Sequence, residues 1–124
     1  MSHGKIVGIG VVVVVLVFVG FGIWHRTQPG KYDAFAQCLK DKGAIFYGAF
    51  WCPHCQEQKA LFGNSKDKLP YTECSTPDGQ QQLQGCKDAG ITGYPTWILK
   101  SGERLNSVQS LAVLAEKTDC ALPL

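Results

Sequence analysis

Two cysteines in the segment Trp51-Cys52-Pro53-His54-Cys55 have the types and the spacing that best suit chemistry in this chain. They lie one helical turn apart, a distance at which two thiols form and break a disulfide bond. So short a loop is a poor structural constraint and a good redox switch, so an inert disulfide is the weaker alternative. The motif predicts thiol-disulfide exchange, with Cys52 as the nucleophile and Cys55 as the resolving thiol.

The residues around the motif place Cys52 at the start of a helix. Residues 44–50 form an apolar run that predicts a buried strand, and residues 56–62 predict a helix. Pro53 suits the first helical position, so Cys52 is expected at the N-cap, near free amide donors and the positive end of the helix dipole. This environment favours thiolate, and we expect an exposed, reactive Cys52 sulfur. His54 should strengthen the effect and make the pair oxidising.

Metal binding is an alternative function for the two cysteines. They form half of a tetrahedral zinc site, which needs a second pair of ligands, and the chain has no second C-x-x-C because Cys74 and Cys86 lie too far apart. Copper delivery would need a further His or Met near the motif, whereas the one methionine is Met1 and no histidine follows His54. We therefore predict no metal site.

A second segment, Gly93-Tyr94-Pro95-Thr96, comes before the apolar residues 97–99. Together with the C-x-x-C motif, it resembles the thioredoxin superfamily, in which a cis-proline loop faces the active cysteines. The resemblance covers roughly residues 31–120. An ordinary trans proline at the start of a strand is the alternative, since most X-Pro bonds are trans.

This resemblance implies roles for three residues near the cysteines. Pro95 would be cis and pack against the Cys52–Cys55 disulfide, while the Tyr94 backbone would pair with an extended substrate segment. Trp51 would be a further substrate contact. The redox-active disulfide would be the working group, with no bound cofactor.

Residues 35–39 and 43–56, together with Cys74 and Cys86, resemble more narrowly the thioredoxin-like domain associated with vitamin K epoxide reductase homologues. In those systems a membrane quinone reductase exchanges electrons with such a domain, which oxidises secreted or lumenal proteins. The resemblance implies that this chain is a single-pass, membrane-anchored form of the redox domain. Its partners would be a membrane quinone reductase of that kind and the thiols of secreted or membrane proteins.

One residue departs from the wider superfamily pattern. Reducing thioredoxins carry a buried Asp six residues before the first active cysteine, as the proton acceptor for the resolving thiol, and this chain has Phe46 there. Efficient disulfide reduction is therefore not expected. Glu57 and Lys59 could assist proton transfer, although charges at such positions more often serve only solubility and capping.

The order of the remaining patterns predicts an α/β fold of thioredoxin type, a four-stranded mixed sheet flanked by helices after an N-terminal transmembrane helix. Six further elements are expected along the chain, in addition to the first strand and the active-site helix. These are a helix at 31–42, a strand at 69–72, a helix at 80–88, strands at 96–100 and 104–108 joined by a two-residue turn at Ser101-Gly102, and a helix at 111–118.

The other four cysteines are expected to stabilise this small domain as disulfides. Six cysteines allow 15 pairings, so spacing alone does not decide the connectivity. We propose Cys74 with Cys86 and Cys38 with Cys120, each bond contributing about 2 to 4 kcal/mol. The alternative for Cys74 and Cys86 is a second redox pair that relays electrons.

Length and composition allow one small domain and a membrane anchor. The chain has 124 residues, 45% of them hydrophobic, and residues 6–24 are uncharged and rich in valine, long enough for a spanning helix. Residues 1–5 would form a tail, 25–30 a linker and 31–124 the thioredoxin-like domain. A cleaved signal peptide is the alternative, but the apolar run is long for one and lacks an Ala-x-Ala site.

Charge and cysteine content indicate where the domain resides. A net charge of +2 with interspersed acids and bases does not suit nucleic-acid binding. The charges that flank the apolar run hardly indicate how the helix would be oriented in a membrane. The six cysteines, an even number, suit an oxidising compartment. We expect the domain outside the cytoplasm, in the periplasm, the exterior or a lumen.

The sequence thus predicts a membrane-anchored thiol-disulfide oxidoreductase that oxidises extracytoplasmic proteins. A tethered reductase or isomerase uses the same chemistry in the opposite direction, and a measured reduction potential would separate the two. The third hypothesis is a non-enzymatic adaptor or metal-delivery module of the same fold.

Overall fold

A four-stranded sheet forms the centre of the domain in the computed structural model, which describes residues 2–124. The strands are β1 (Ile45–Gly48), β2 (Tyr71–Glu73), β3 (Thr96–Ile98) and β4 (Arg104–Asn106). Their order in the sheet is β2-β1-β3-β4; β1 and β2 are parallel, and the other neighbours are antiparallel. The parallel pair is connected through the active-site helix.

Residues 2–124 also form five α-helices and one 3₁₀ helix. The helices are α1 (His3–Thr27), α2 (Asp33–Asp41), α3 (Pro53–Ala60), α4 (Gln84–Asp88) and α5 (Leu111–Thr118), and the 3₁₀ helix is Gly63–Lys68. The predicted α/β fold, with a mixed four-stranded sheet flanked by helices and an apolar N-terminal helix, is confirmed. The strands are shorter than predicted: β1, β3 and β4 each end two residues earlier, and β2 is shifted from 69–72 to 71–73.

Side chains alternate between the two faces of the sheet, and each face has its own apolar cluster. Phe46 of β1 and Trp97 of β3 lie in the larger cluster, with residues of α2, α3 and α5. Tyr47 of β1 and Ile98 of β3 contact the smaller cluster on the opposite face, which contains the buried Cys74–Cys86 pair. Both faces of the sheet are therefore covered.

Helix α1 is long and apolar enough to cross a membrane, and its described side chains are exposed. Length and composition alone do not separate an anchor from a signal sequence, because both have these properties. The helix extends beyond the predicted span into the expected linker and ends at Thr27, whose hydroxyl donates to the Trp24 carbonyl. His25 and Arg26 in its last turn suit the negative end of the helix dipole.

The predicted helix at residues 80–88 is wrong in its first half. Residues 76–81 form a turn in which the Asp78 carboxylate accepts the Gln80 amide and the Thr76 hydroxyl accepts the Gln81 amide. Such side-chain to backbone bonds offer the chain an alternative to a helix. The Gln82 side chain donates to the Ile91 carbonyl, and α4 begins only at Gln84.

The β3–β4 hairpin has a three-residue loop rather than the predicted two-residue turn. The Leu99 amide donates to the Glu103 carbonyl at 2.9 Å, so Lys100, Ser101 and Gly102 lie between them. Gly102 has φ 88°, the left-handed conformation that a loop of this length requires at its third residue. The position of the turn was therefore predicted correctly from Ser101-Gly102, but the number of residues in its loop was not.

Two disulfides connect different elements of the fold. Cys38 of α2 is bonded to Cys120, which follows α5, across a sequence separation of 82 residues. Cys74, directly after β2, is bonded to Cys86 of α4 across a separation of 12 residues. These are the pairings proposed from the sequence.

Removing the bond between Cys38 and Cys120 is expected to lower the free energy of unfolding by about 2 to 5 kcal/mol. The long loop it closes restricts the unfolded chain, and this restriction is lost in the double variant Cys38→Ala/Cys120→Ala. Urea unfolding of the full chain in detergent measures the change, with the wild-type slope against denaturant as the control. A loss below about 1 kcal/mol would show that the bond contributes little.

Candidate active site

Cys52 is the N-cap of α3, and Pro53 is the first helical residue, as the sequence predicted. The Cys52 amide donates to the Ala49 carbonyl at 3.0 Å, and its carbonyl accepts the Gln56 amide at 3.1 Å. The chain therefore leaves β1, makes one tight turn and enters the helix. Proline fits here because the first helical residues have no intrahelical partner for their N–H groups.

Cys52 is more enclosed than we expected. It retains 7% of its surface, against 1% for Cys55, and both are free thiols in this structure. Its Sγ lies 3.8 Å from the Tyr94 carbonyl oxygen, so the thiol donates towards the neighbouring loop instead of lying open to solvent. The expectation of a freely exposed sulfur is wrong because this loop lies beside it.

That neighbouring loop contains a cis peptide bond between Tyr94 and Pro95. Pro95 is fully buried, and its carbonyl accepts the Ser107 amide at 3.0 Å, which ties the loop to the end of β4. Thr96 donates its hydroxyl to the Gly93 carbonyl at 2.8 Å. The loop is thus held firmly at the position where it contacts the first cysteine.

Aromatic side chains extend this surface beside the motif. Trp51 is 51% exposed and packs edge-on against Tyr94, with ring centroids 6.0 Å apart. Its indole N–H donates to the Ser75 hydroxyl at 2.9 Å, and Phe50 beside it is also exposed. The structure therefore brings together the three residues predicted to contact substrate, Trp51, Tyr94 and Pro95.

A groove of about 260 Å³ runs along the other side of the motif. His54 and Glu57 line it from α3, and Tyr94, Ser107 and Val108 line it from the loops. The His54 imidazole lies 3.5 Å from the Glu57 carboxylate, and both side chains are mostly exposed. An exposed pair of this kind contributes little to stability. The expected influence of His54 on the neighbouring thiol stays a prediction.

Cys55 lies inside the domain, one turn into α3. A Cβ added at Gly48 would be 2.9 Å from its Sγ and 2.8 Å from the Tyr71 ring, so the sulfur and the ring both pack against this glycine. Burial raises the pKa of Cys55 to about 12, and the neighbouring Cys52 sulfur adds to the shift, while the Ala49 backbone and the Lys59 charge oppose it. The second thiol is therefore strongly protonated at neutral pH.

Phe46 is fully buried where reducing thioredoxins carry an acid. Its ring stacks on Trp97 with centroids 5.0 Å apart and meets the Tyr71 ring edge-on at 5.0 Å. Phe46, Tyr71 and the Cys55 sulfur all lie beside Gly48, so this aromatic cluster forms part of the surroundings of the second cysteine. No carboxylate reaches Cys55 from this strand position.

Tyr71 and Glu73 of β2 are site residues that the sequence analysis missed. The Tyr71 hydroxyl donates to Glu73 at 2.7 Å, and the other carboxylate oxygen accepts the amides of Phe50 and Ser75. Glu73 thus holds the segment that leads into the motif. Strand pairing was the available signal, because a parallel neighbour of β1 places Glu73 opposite Gly48.

The Cys74–Cys86 disulfide lies apart from solvent. Its two residues are 0% and 1% exposed, in the smaller cluster on the far face of the sheet. Exchange between disulfides needs access for an attacking thiolate, so this burial argues for a structural bond and against a second redox pair. Within residues 2–124, no group of three or more His, Cys, Asp or Glu side chains is placed to hold a metal ion.

Comparisons with known proteins relate the chain to an oxidoreductase. No protein-family model matches the chain. The chain is 47% identical over 94 residues to thiol-disulfide oxidoreductase LTO1 of Arabidopsis thaliana, a match that covers 72% of this chain and 24% of that protein. The chain thus spans about a quarter of the length of this relative. The chain is therefore similar in sequence to part of a protein named as a thiol-disulfide oxidoreductase.

Proposed function

We propose that this protein is a membrane-anchored thiol-disulfide oxidoreductase that works through Cys52 and Cys55. The observation that carries the proposal is the position of Cys52, at the start of α3 with its Sγ 3.8 Å from the carbonyl oxygen before a cis proline. A substrate chain lying along Tyr94 would bring its own sulfur to this thiol. The relative named as a thiol-disulfide oxidoreductase supports the same chemistry.

In the oxidising direction, the active form holds a Cys52–Cys55 disulfide. A substrate thiolate attacks the Cys52 sulfur, a mixed disulfide forms, and the electron pair of the broken bond goes to Cys55. The second thiolate of the substrate then attacks the first substrate sulfur, which is bonded to Cys52 in the mixed disulfide. A disulfide forms within the substrate, and Cys52 is released as a thiolate. The substrate has lost two electrons and gained a disulfide, and the protein is left as a dithiol.

Two features favour this direction over disulfide reduction. A reductase needs a group that deprotonates the resolving thiol, and Phe46 stands where an acid would serve. Cys52 lies at a helix N-terminus, a position that in general favours the reduced form of a cysteine pair and makes its disulfide a stronger oxidant. Reoxidation would come from a quinone-linked membrane partner similar to vitamin K epoxide reductase.

The apolar surface of α1 supports the membrane anchor in this proposal. Valine, isoleucine and phenylalanine side chains are exposed along its length, a surface that is unfavourable in water and suits a bilayer. Two disulfides in the domain suit an oxidising compartment. We therefore place the domain on the extracytoplasmic side, where its substrates are the thiols of secreted or membrane proteins.

Trapping with Cys55→Ala tests the proposal. This variant keeps Cys52, whose thiolate can attack the disulfide of the reoxidising partner, but without Cys55 the resulting mixed disulfide cannot be resolved from within the protein and should accumulate. We expect the full-length variant, expressed in its membrane, to carry covalent adducts at Cys52 that disappear on reduction. Non-reducing electrophoresis followed by mass spectrometry identifies the adducts, including any quinone-linked partner.

The matched control is Cys52→Ala/Cys55→Ala, which should carry no adducts. Absence of adducts in Cys55→Ala itself would contradict the proposal. A reduction potential near about −120 mV would support the oxidising direction, and one near about −270 mV would assign the protein to reduction.

A further inference from the structure

The buried thiol presents an unsolved problem in the proposed reaction. When a substrate attacks Cys52, the electron pair goes to Cys55, which is 1% exposed and packed into the larger cluster. Burial raises the pKa of Cys55 to about 12, so a thiolate there is unfavourable as a leaving group. With Phe46 in place of an acid, another group must compensate this charge.

Lys59 is placed to do so. It follows Cys55 by one turn of α3, on the same side of the helix, and its half-buried side chain holds the ammonium 3.6 Å from the centroid of the Tyr71 ring. That ring packs against Gly48, as the Cys55 sulfur does. The cation, the ring and the sulfur therefore form one contiguous group.

The ring that holds Lys59 is itself fixed in place. Its hydroxyl donates to Glu73 at 2.7 Å, and its edge meets Phe46. A cation over an aromatic face is attracted to the ring, so this contact favours the observed lysine conformation. The strand thus fixes the ring that holds the ammonium.

The same group is connected to solvent. A groove of about 640 Å³ is lined by the exposed Gln56 and by Lys59 and Tyr71. Lys66 and Asp67 of the 3₁₀ helix line its outer part. Protons can therefore be exchanged between this group of side chains and water through the groove.

We propose that Lys59, held over the Tyr71 ring, is the positioning residue that compensates the negative charge on Cys55 when the active disulfide opens. The inference deepens the proposed function and rests on it. The Cys52–Cys55 bond breaks, the bond between the substrate sulfur and Cys52 forms, and Cys55 takes the electron pair. The Lys59 ammonium stabilises this thiolate by its charge, and the groove gives solvent access for the proton that Cys55 takes up and gives back on reoxidation.

Alkylation of Cys55 in a Cys52→Ala background tests the inference without requiring any exchange activity. The charged and titratable groups around Lys59 are Cys55 on its own helix, Tyr71 and Glu73 on β2, and Lys66 and Asp67 on the 3₁₀ helix. Removing an adjacent cation raises the pKa of a thiol, by about one unit or more for a close charge. At any pH below the titration midpoint, Lys59→Met should therefore slow iodoacetamide alkylation of Cys55 by about tenfold.

Matched variants separate charge from structure. Lys66→Met removes a cation from the outer part of the same groove and should leave the alkylation rate within about twofold of the parent, because screening weakens distant charges. Lys59→Arg keeps the cation and should stay within about threefold of the parent rate. Lys59→Gln provides a second neutral replacement should the methionine variant fold poorly. In the protein with both active cysteines, Lys59→Met should slow oxidation of a dithiol peptide by about tenfold.

Equal alkylation rates for the parent, Lys59→Met and Lys66→Met would overturn the inference, even if the wild-type protein oxidises thiols. A wild-type protein that oxidises no dithiol peptide would instead refute the proposed function, while the alkylation rates would still decide whether Lys59 acts on Cys55.

Discussion

Replacing Cys52 with serine is expected to abolish disulfide exchange, lowering the rate with a dithiol peptide by at least about 10³-fold, as loss of a catalytic nucleophile does. Serine keeps the shape of the N-cap and its ability to face the helix amides, so the fold should be unchanged. What is lost is the sulfur beside the Tyr94 carbonyl, without which no mixed disulfide forms. The full chain in detergent, assayed against a fluorescent dithiol peptide, measures the rate.

The matched control is the double variant Cys74→Ala/Cys86→Ala. It removes the buried disulfide on the far face of the sheet and should lower stability while leaving the exchange rate within about threefold of wild type, since a buried bond is not open to attack. Exchange that persists in Cys52→Ser and disappears in this double variant would assign the activity to the second pair of cysteines.

The elements that carry the motif could be predicted because local and global signals agree there. An apolar run leads into Cys52, Pro53 suits a first helical turn, and polar residues follow. The strand, the turn and α3 are therefore each indicated by neighbouring residues in the sequence. The last helix, Leu111–Thr118, matches its prediction at both ends, with the Ser110 hydroxyl accepting the Val113 amide as an N-cap.

Errors occur where side chains compete with the regular backbone pattern. The glutamines at 80–82 have good helix propensity, yet Thr76 and Asp78 bind their amides in a turn, and Gln82 reaches across to Ile91. Propensity is a weak guide when a short segment can satisfy its amides in this way. In the loop between β3 and β4, the Ser101 hydroxyl likewise accepts a backbone amide, that of Glu103, at 3.3 Å.

The surroundings of Cys55 depend on contacts between distant residues. The sequence analysis noted Lys59 as one of two charges on the active-site helix but had no reason to choose it, because Tyr71 is not near it in sequence. Only the pairing of β1 with β2 brings that ring to Gly48 and so to the thiol. The enclosure of Cys52 has the same origin, since the loop beside it comes from a distant part of the chain.

Trp97→Ala is expected to lower the free energy of unfolding by about 3 to 5 kcal/mol, a large part of the stability of a small domain. Trp97 is fully buried at the centre of the sheet and stacks on Phe46. Its indole N–H donates to the buried Gln58 side chain at 3.2 Å, and the same Gln58 oxygen accepts the Gln109 amide at 2.7 Å. The substitution therefore creates a cavity and removes a donor from a buried amide side chain.

Trp51→Ala is the matched control, because it removes the same side chain from an exposed position. Trp51 is 51% exposed and makes one hydrogen bond to Ser75, so its loss should cost only about 1 kcal/mol, while Trp97 is 0% exposed. Urea unfolding of both full-length variants in detergent, followed by far-UV circular dichroism, compares the two. Equal losses would contradict a core centred on Trp97. The expected difference would instead show that the buried Trp97, which stacks on Phe46 and donates to Gln58, contributes far more to stability than the exposed Trp51.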